Sequence, residues 1–138
     1  MSVPQETKRI TLEWQEDLRF RGGEPNGPSI LIDGDNVEGP GPMLTLLLAA
    51  AACTGSDVVI VLKKMRVAFS ALRVDVSAVR RETEPRRYVS LHLDYRIAAA
   101  GADPAKVRRA IDLSIEKYCS VIHSLASDIA ITYALSLA

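Results

Sequence analysis

The sequence predicts an α+β fold: an antiparallel sheet with elements in the order βββαββαβ and two main helices. Three observations carry this prediction. Several stretches alternate apolar and polar residues with a period of two, as half-buried strands do. Two longer stretches, opening at Pro42 and Pro104, repeat apolar residues at three- and four-residue steps, as helices do. Turn-forming residues between neighbouring strands favour hairpins over crossovers.

The first strand is "KRITLEW" at 8–14, with Ile10, Leu12 and Trp14 on one side and Thr11 and Glu13 on the other. A second candidate strand at 18–22 is broken by Gly22, Gly23, Pro25 and Gly27. "SILID" at 29–33 reads as its hairpin return. "GDNVEGPGP" is a loop, and Pro42 suits the first turn of a helix.

From Pro42 to about Lys64 the pattern is helical and apolar nearly all round. Such a helix is on the order of 35 Å long, while a compact chain of this size has a radius of gyration of roughly 14 Å. One subunit would struggle to enclose it, so a second copy of the chain is expected to cover part of it, giving a homodimer. Membrane insertion is the competing account of a segment this apolar. Thr54, Gly55, Ser56 and Asp57 interrupt it, and an aspartate near a bilayer centre is costly.

Leu72, Val74, Val76 and Ala78 alternate with Arg73, Asp75 and Ser77 in the next strand, and "RRETEPRR" turns the chain. Val89, Leu91, Leu93, Tyr95 and Ile97 then line one face of its hairpin partner. Asp103 caps the second helix, with Pro104 at its first position. Val107, Ala110, Ile111, Ile115, Tyr118, Cys119 and Ile122 form the expected buried face. The last strand carries Ile129, Ile131, Tyr133, Leu135 and Leu137 on one side.

The 138 residues suit one domain, 1–138. Basic and acidic residues balance at 17 each, so no global field draws nucleic acid or an anionic membrane. The first residues lack a basic-then-apolar signal, which leads to a cytoplasmic expectation. In that compartment Cys53 and Cys119 are expected as free thiols or a redox pair. They are the only cysteines, one per helix, and both helices must pack on one apolar layer, so the two thiols can meet. Two buried, inert cysteines are the competing account.

Asp57 follows Cys53 by one helical turn on the same face. Its charge disfavours a thiolate, but it could orient an arginine or meet a partner's basic side chain. His123 stands one turn after Cys119, as a base for that thiol or a plain surface residue. Zinc held by Cys53, Cys119 and His123 lacks the close ligand spacing of structural sites, so no metal is expected. Arg19 and Arg21 point to one side of their strand. They are ordinary surface charges, or one of them stabilises a thiolate.

The cysteine helix "GPMLTLLLAAAACTGSDVVIVLKKM" together with "DPAKVRRAIDLSIEKYCSV" resembles the OsmC/Ohr family of osmotically inducible and organic hydroperoxide resistance proteins. The resemblance covers nearly the whole chain. It implies an intertwined homodimer with its active sites at the interface. It also implies reduction of organic hydroperoxides without metal, haem or flavin, with Cys53 peroxidatic, Cys119 resolving, Arg19 or Arg21 as the catalytic arginine, and an external dithiol as reductant. Active members carry a glutamate at the start of the cysteine helix to hold that arginine. Met43 stands at that position and Leu44 beside it. Asp57, Glu24 and Glu38 are the candidates to replace it.

Overall fold

A computed structural model describes residues 5–138. The chain divides into two compact units, the first ending at Leu46 and the second running Leu47–Ala138.

The first unit is a three-stranded antiparallel meander: β1 (Thr11–Glu16), β2 (Arg19–Gly23) and β3 (Ser29–Asp33), with β2 in the middle. Asp17 turns β1 into β2 with a left-handed φ of 49°, and its carbonyl accepts from Trp14 Nε1 at 2.8 Å. Gly22 and Gly23 lie inside β2 rather than ending it. A Cβ on Gly23 would sit 2.1 Å from the Pro28 carbonyl oxygen, and one on Gly22 2.8 Å from that of Thr11. These glycines permit close backbone approach within the sheet. The alternation in β1 was expected to mark a half-buried strand, yet every residue of β1 is exposed in the single chain. Period-two alternation tells which residues share a face, not what covers that face. Asp33, fully buried, shapes the loop after β3. Its carboxylate accepts the backbone N–H groups of Asp35, Val37 and Glu38 at 2.9 to 3.3 Å. Those bonds, Glu38's foremost, hold its carboxyl below the usual range.

Helix α1 (Pro42–Lys64) begins in the first unit and has its body in the second. It has the expected bounds, and its length and composition would suffice to cross a membrane. Ala50, Thr54, Val58 and Leu62, four residues apart, form its fully buried stripe, whereas Leu44, Leu48 and Ile60 are exposed. At its C-terminus Arg66 adopts a φ of 58° and the Val67 N–H returns to the Leu62 carbonyl, a left-handed cap.

The second sheet has the order β4 (Ala71–Arg80), β5 (Tyr88–Ala98), β6 (Ala130–Leu137). β4 and β5 form the expected antiparallel hairpin. β6 runs parallel to β5, a departure from the all-hairpin expectation. The helical segment between them is long enough for the crossover that a parallel pair requires. Leu91, Leu93, Tyr95 and Ile97 of β5 are fully buried, and most of them join the α1 stripe in the core.

Helix α2 (Pro104–Leu113) starts as expected, with the Asp103 carboxylate accepting the Ala105 N–H at 3.0 Å. It does not continue to Cys119. A π turn covers Ser114–Tyr118, Cys119 leaves the helix at φ −71°, ψ 99°, and a four-residue α3 (Ser120–His123) follows. The wider turn shifts the helical register. Tyr118, expected in the core, is 49% exposed, while Ile115 and Cys119 keep their apolar contacts.

Candidate functional site

The site lies in the second unit, between the inner stripe of α1 and the end of the π turn. Cys53 stands beside that stripe, half-buried, and Cys119 is fully buried. Both are free thiols. The two sulfurs and a carboxylate oxygen of Asp57 all lie within 4.8 Å of one another.

Burial pushes the Cys119 thiol up to about 11. The Ile122 backbone N–H works against that rise, while the neighbouring Cys53 thiol and the nearby charge of Asp57 add to it. Cys119 is therefore overwhelmingly a protonated thiol near neutral pH, and of the two sulfurs Cys53 has the more open setting.

A buried row of hydroxyls adjoins the cysteines. Tyr95 Oη lies 2.7 Å from Thr54 Oγ1, Thr54 Oγ1 lies 2.7 Å from Ser114 Oγ, and Ser114 Oγ donates to Asp57 Oδ2 at 2.9 Å. An ionised carboxylate only accepts, so the direction of the row is forced. Tyr95 donates to Thr54, Thr54 to Ser114, and Ser114 to Asp57. The π turn builds its far end, because the Cys119 N–H reaches back five residues to the Ser114 carbonyl at 2.8 Å. Desolvation pushes the Tyr95 hydroxyl up to about 12, which keeps it a donor. Tyr133 meets Tyr95 edge-on at 5.9 Å and gives its own hydroxyl to Asp112 at 2.7 Å.

Cys53, Asp57 and Cys119 are the one cluster of this kind among the described residues close enough to share a metal ion. Three donors fall short of the four in a closed zinc site. A metal also needs thiolates, and burial opposes one at Cys119. His123 is not part of this arrangement. Its Nε2 is bonded to the Ile115 carbonyl at 3.0 Å.

Arg19 and Arg21 belong to β2 of the first unit. Arg19 is ion-paired with Glu16 at 2.8 Å and Asp17 at 3.6 Å, neither of them among Asp57, Glu24 and Glu38. Arg21 Nη1 donates to Ser29 Oγ at 3.3 Å. It lines a cavity of about 420 Å³ with Glu13, Glu24 and Asn26.

Thr54, Tyr95 and Ser114 were not singled out from sequence. Thr54 left a trace, as the one hydroxyl in the stripe Ala50, Thr54, Val58, Leu62. Ser114 left none, because "SIEKY" fits ordinary helical periodicity and the π turn is invisible in it.

The profile described as OsmC-like protein matches residues 33–134. The chain is 37% identical over 123 residues to the protein YhfA of Escherichia coli strain K12, spanning 88% of this chain and 92% of that one. Its fold resembles that of an OsmC-like protein from Mycoplasma pneumoniae, with a TM-score of 0.83, 18% identity and coverage of 97% and 99% of the two chains. It also resembles the organic hydroperoxide resistance protein OhrB of Bacillus subtilis, with a TM-score of 0.62, 14% identity and coverage of 95% and 98%. The profile match takes in both cysteines, the aspartate between them, the whole of β4 and β5 and the first part of β6, and the chain belongs to the OsmC-like family.

Proposed function

We propose that the protein is a thiol-dependent peroxidase that reduces organic hydroperoxides in oxidative-stress defence. The observation that carries this reading is the meeting of Cys53 and Cys119 within 4.8 Å at the edge of the apolar core, in a chain of this family. The Cys53 thiolate attacks the peroxide O–O bond. The alcohol leaves and Cys53 becomes a sulfenic acid. The Cys119 thiol condenses with that acid, giving a disulfide and water. An external dithiol then returns both thiols by exchange. Arg19 or Arg21 is the catalytic arginine that the family resemblance implies, a positive charge of the kind that favours a thiolate. The chain works as one OsmC-like domain, in the cytoplasm, as a homodimer. Exposed apolar surface supports the dimer: Leu48 and Ile60 are exposed and, with the half-buried Val59, Leu72 and Val74, border an open groove of about 710 Å³ along α1 and β4.

The direct test is cumene hydroperoxide consumption with dithiothreitol. Wild type turns over and Cys53→Ser loses at least about a thousandfold of the rate, as loss of a nucleophile does. Equal rates would end the proposal.

A second reading has a specific observation behind it. Met43 stands where active members carry the arginine-holding glutamate, and Arg19 is engaged by Glu16 and Asp17. On this reading the dimer has no peroxidase activity and binds a small apolar ligand or senses redox state. Absence of turnover, together with a peroxide-induced disulfide or a bound lipid-like molecule in native mass spectra, would favour it.

A further inference from the structure

We infer that Asp57 is the proton acceptor for Cys119, taking the proton from its sulfur as that sulfur attacks the oxidised Cys53. This inference rests on the thiol-peroxidase reading for its physiological setting, though the proton transfer can be measured without a peroxide.

The problem it solves is set by burial. Cys119 is fully enclosed, so bulk water is not at hand to deprotonate it. A thiol is a poor nucleophile until its proton leaves. Asp57 is the carboxylate within 4.8 Å of both sulfurs. Histidine is the usual alternative, but the His123 ring is turned to the Ile115 carbonyl. The hydroxyl row from Tyr95 through Thr54 and Ser114 ends on Asp57 Oδ2 and holds the carboxylate in place from one side. A carboxylate engaged on one oxygen still has lone pairs for a thiol proton. Asp57 also lines a cavity of about 500 Å³ with Val61, Lys64, Met65 and Tyr118, through which the carboxyl would exchange its proton.

The step balances. Cys119 Sγ forms a bond to Cys53 Sγ as the sulfenic S–O bond breaks. The Cys119 proton passes to Asp57 and from it to the departing hydroxide, which leaves as water. Cys53 sulfur is reduced as Cys119 sulfur is oxidised, and Asp57 ends as it began.

A purely electrostatic role makes the opposite prediction. A negative charge beside a thiol favours the protonated form, so removing the charge would speed the attack of Cys119. The sign of the effect therefore decides the matter.

The test uses the reduced, full-length protein and one equivalent of 5,5′-dithiobis(2-nitrobenzoate). The first thionitrobenzoate released reports capture of Cys53. The second reports attack by Cys119 on the mixed disulfide, its proton leaving through Asp57 to solvent. Asp57→Asn keeps an oxygen to accept from Ser114 but is a far weaker base. The first release should keep its wild-type rate or rise, because Cys53 also loses a neighbouring negative charge, and the second should slow by about a hundredfold, the low end for loss of a general base. Asp57→Glu should recover part of that loss. A second release at or above the wild-type rate in Asp57→Asn, or none in wild type, overturns the inference. Should Asp57→Asn not fold, Ser114→Ala reads the same step. It removes the group that orients the carboxylate, so about tenfold slowing is expected, and an unchanged second rate overturns the inference. If hydroperoxide is never consumed but the second release still slows, the proton role stands and the peroxidase reading alone fails.

Discussion

β1 and β5 read alike as sequence and end in opposite conditions. Both alternate apolar with polar residues. In β5 the apolar set is sealed under α1 and α2, with Leu93 and Tyr95 fully buried. In β1 Leu12 and Trp14 remain 51% and 65% exposed. The difference teaches that a strand's pattern specifies a face to be covered, while the cover comes from elsewhere. For β5 it is supplied within the second unit. β1 has no such cover in the single chain, and the proposed homodimer offers a second copy to supply it.

The largest effect should come from cutting the sealed face. Leu93→Ala should cost about 2–5 kcal/mol of unfolding free energy by urea titration, as buried leucine truncations do. Leu12→Ala, measured on a single chain, should cost under about 1 kcal/mol. Equal losses would mean that β1 is covered after all within one chain.

Next in size is the effect expected on assembly. Trp14→Ala should weaken the homodimer by about thirtyfold in sedimentation equilibrium, as loss of a roughly 2 kcal/mol aromatic anchor does, and leave the secondary structure unchanged. A protein that sediments as a monomer at micromolar concentration would remove the dimer from the comparison.

A smaller effect is expected in the hydroxyl row. Tyr95→Phe removes the donor to Thr54 and should destabilise the fold by about 1–2 kcal/mol. A polar substitution of similar kind on the exposed sheet, Ser29→Ala, should fall within about 0.5 kcal/mol.

The smallest is a pH effect. The Cys119 thiol is raised in the folded state from an ordinary value of 9.0 to about 11. Its protonated form is thus favoured by folding. Its contribution to stability is fully present below about pH 9 and is lost as pH rises through about 11. The contribution should be on the order of 1 kcal/mol. Wild type should lose that much more than Cys119→Ser between those limits. Parallel stability curves for the two proteins would show that the thiol is not shielded.

Much of the fold was legible because α1, β4, β5 and β6 have long, regular repeats bounded by clear breakers, while the short β3 was legible from the turns that flank it. The cysteine pair was legible for the same reason, since two core-facing helices with one cysteine each leave few places for the thiols to go. Three features were hidden. Gly22 and Gly23 look like strand breakers, but their missing side chains serve a tight backbone contact inside β2. The parallel pairing of β6 depends on where a long connection lands, which local periodicity does not encode. The π turn adds room for one residue without altering composition, so Ser114 looked like any residue on a helix and Tyr118 like part of the core.

The break at Cys119 has a mechanical consequence. Because the backbone leaves the helix there, the sulfur rides on a short tether and not on a rigid rod. The tether continues into only four helical residues, and Ile122 is its one buried anchor. In the proposed cycle, drawing the two sulfurs together would therefore ask one small segment to give way. The long helix and the strands beneath it could then stay still, and the bond making and breaking of that cycle would not need to loosen the core.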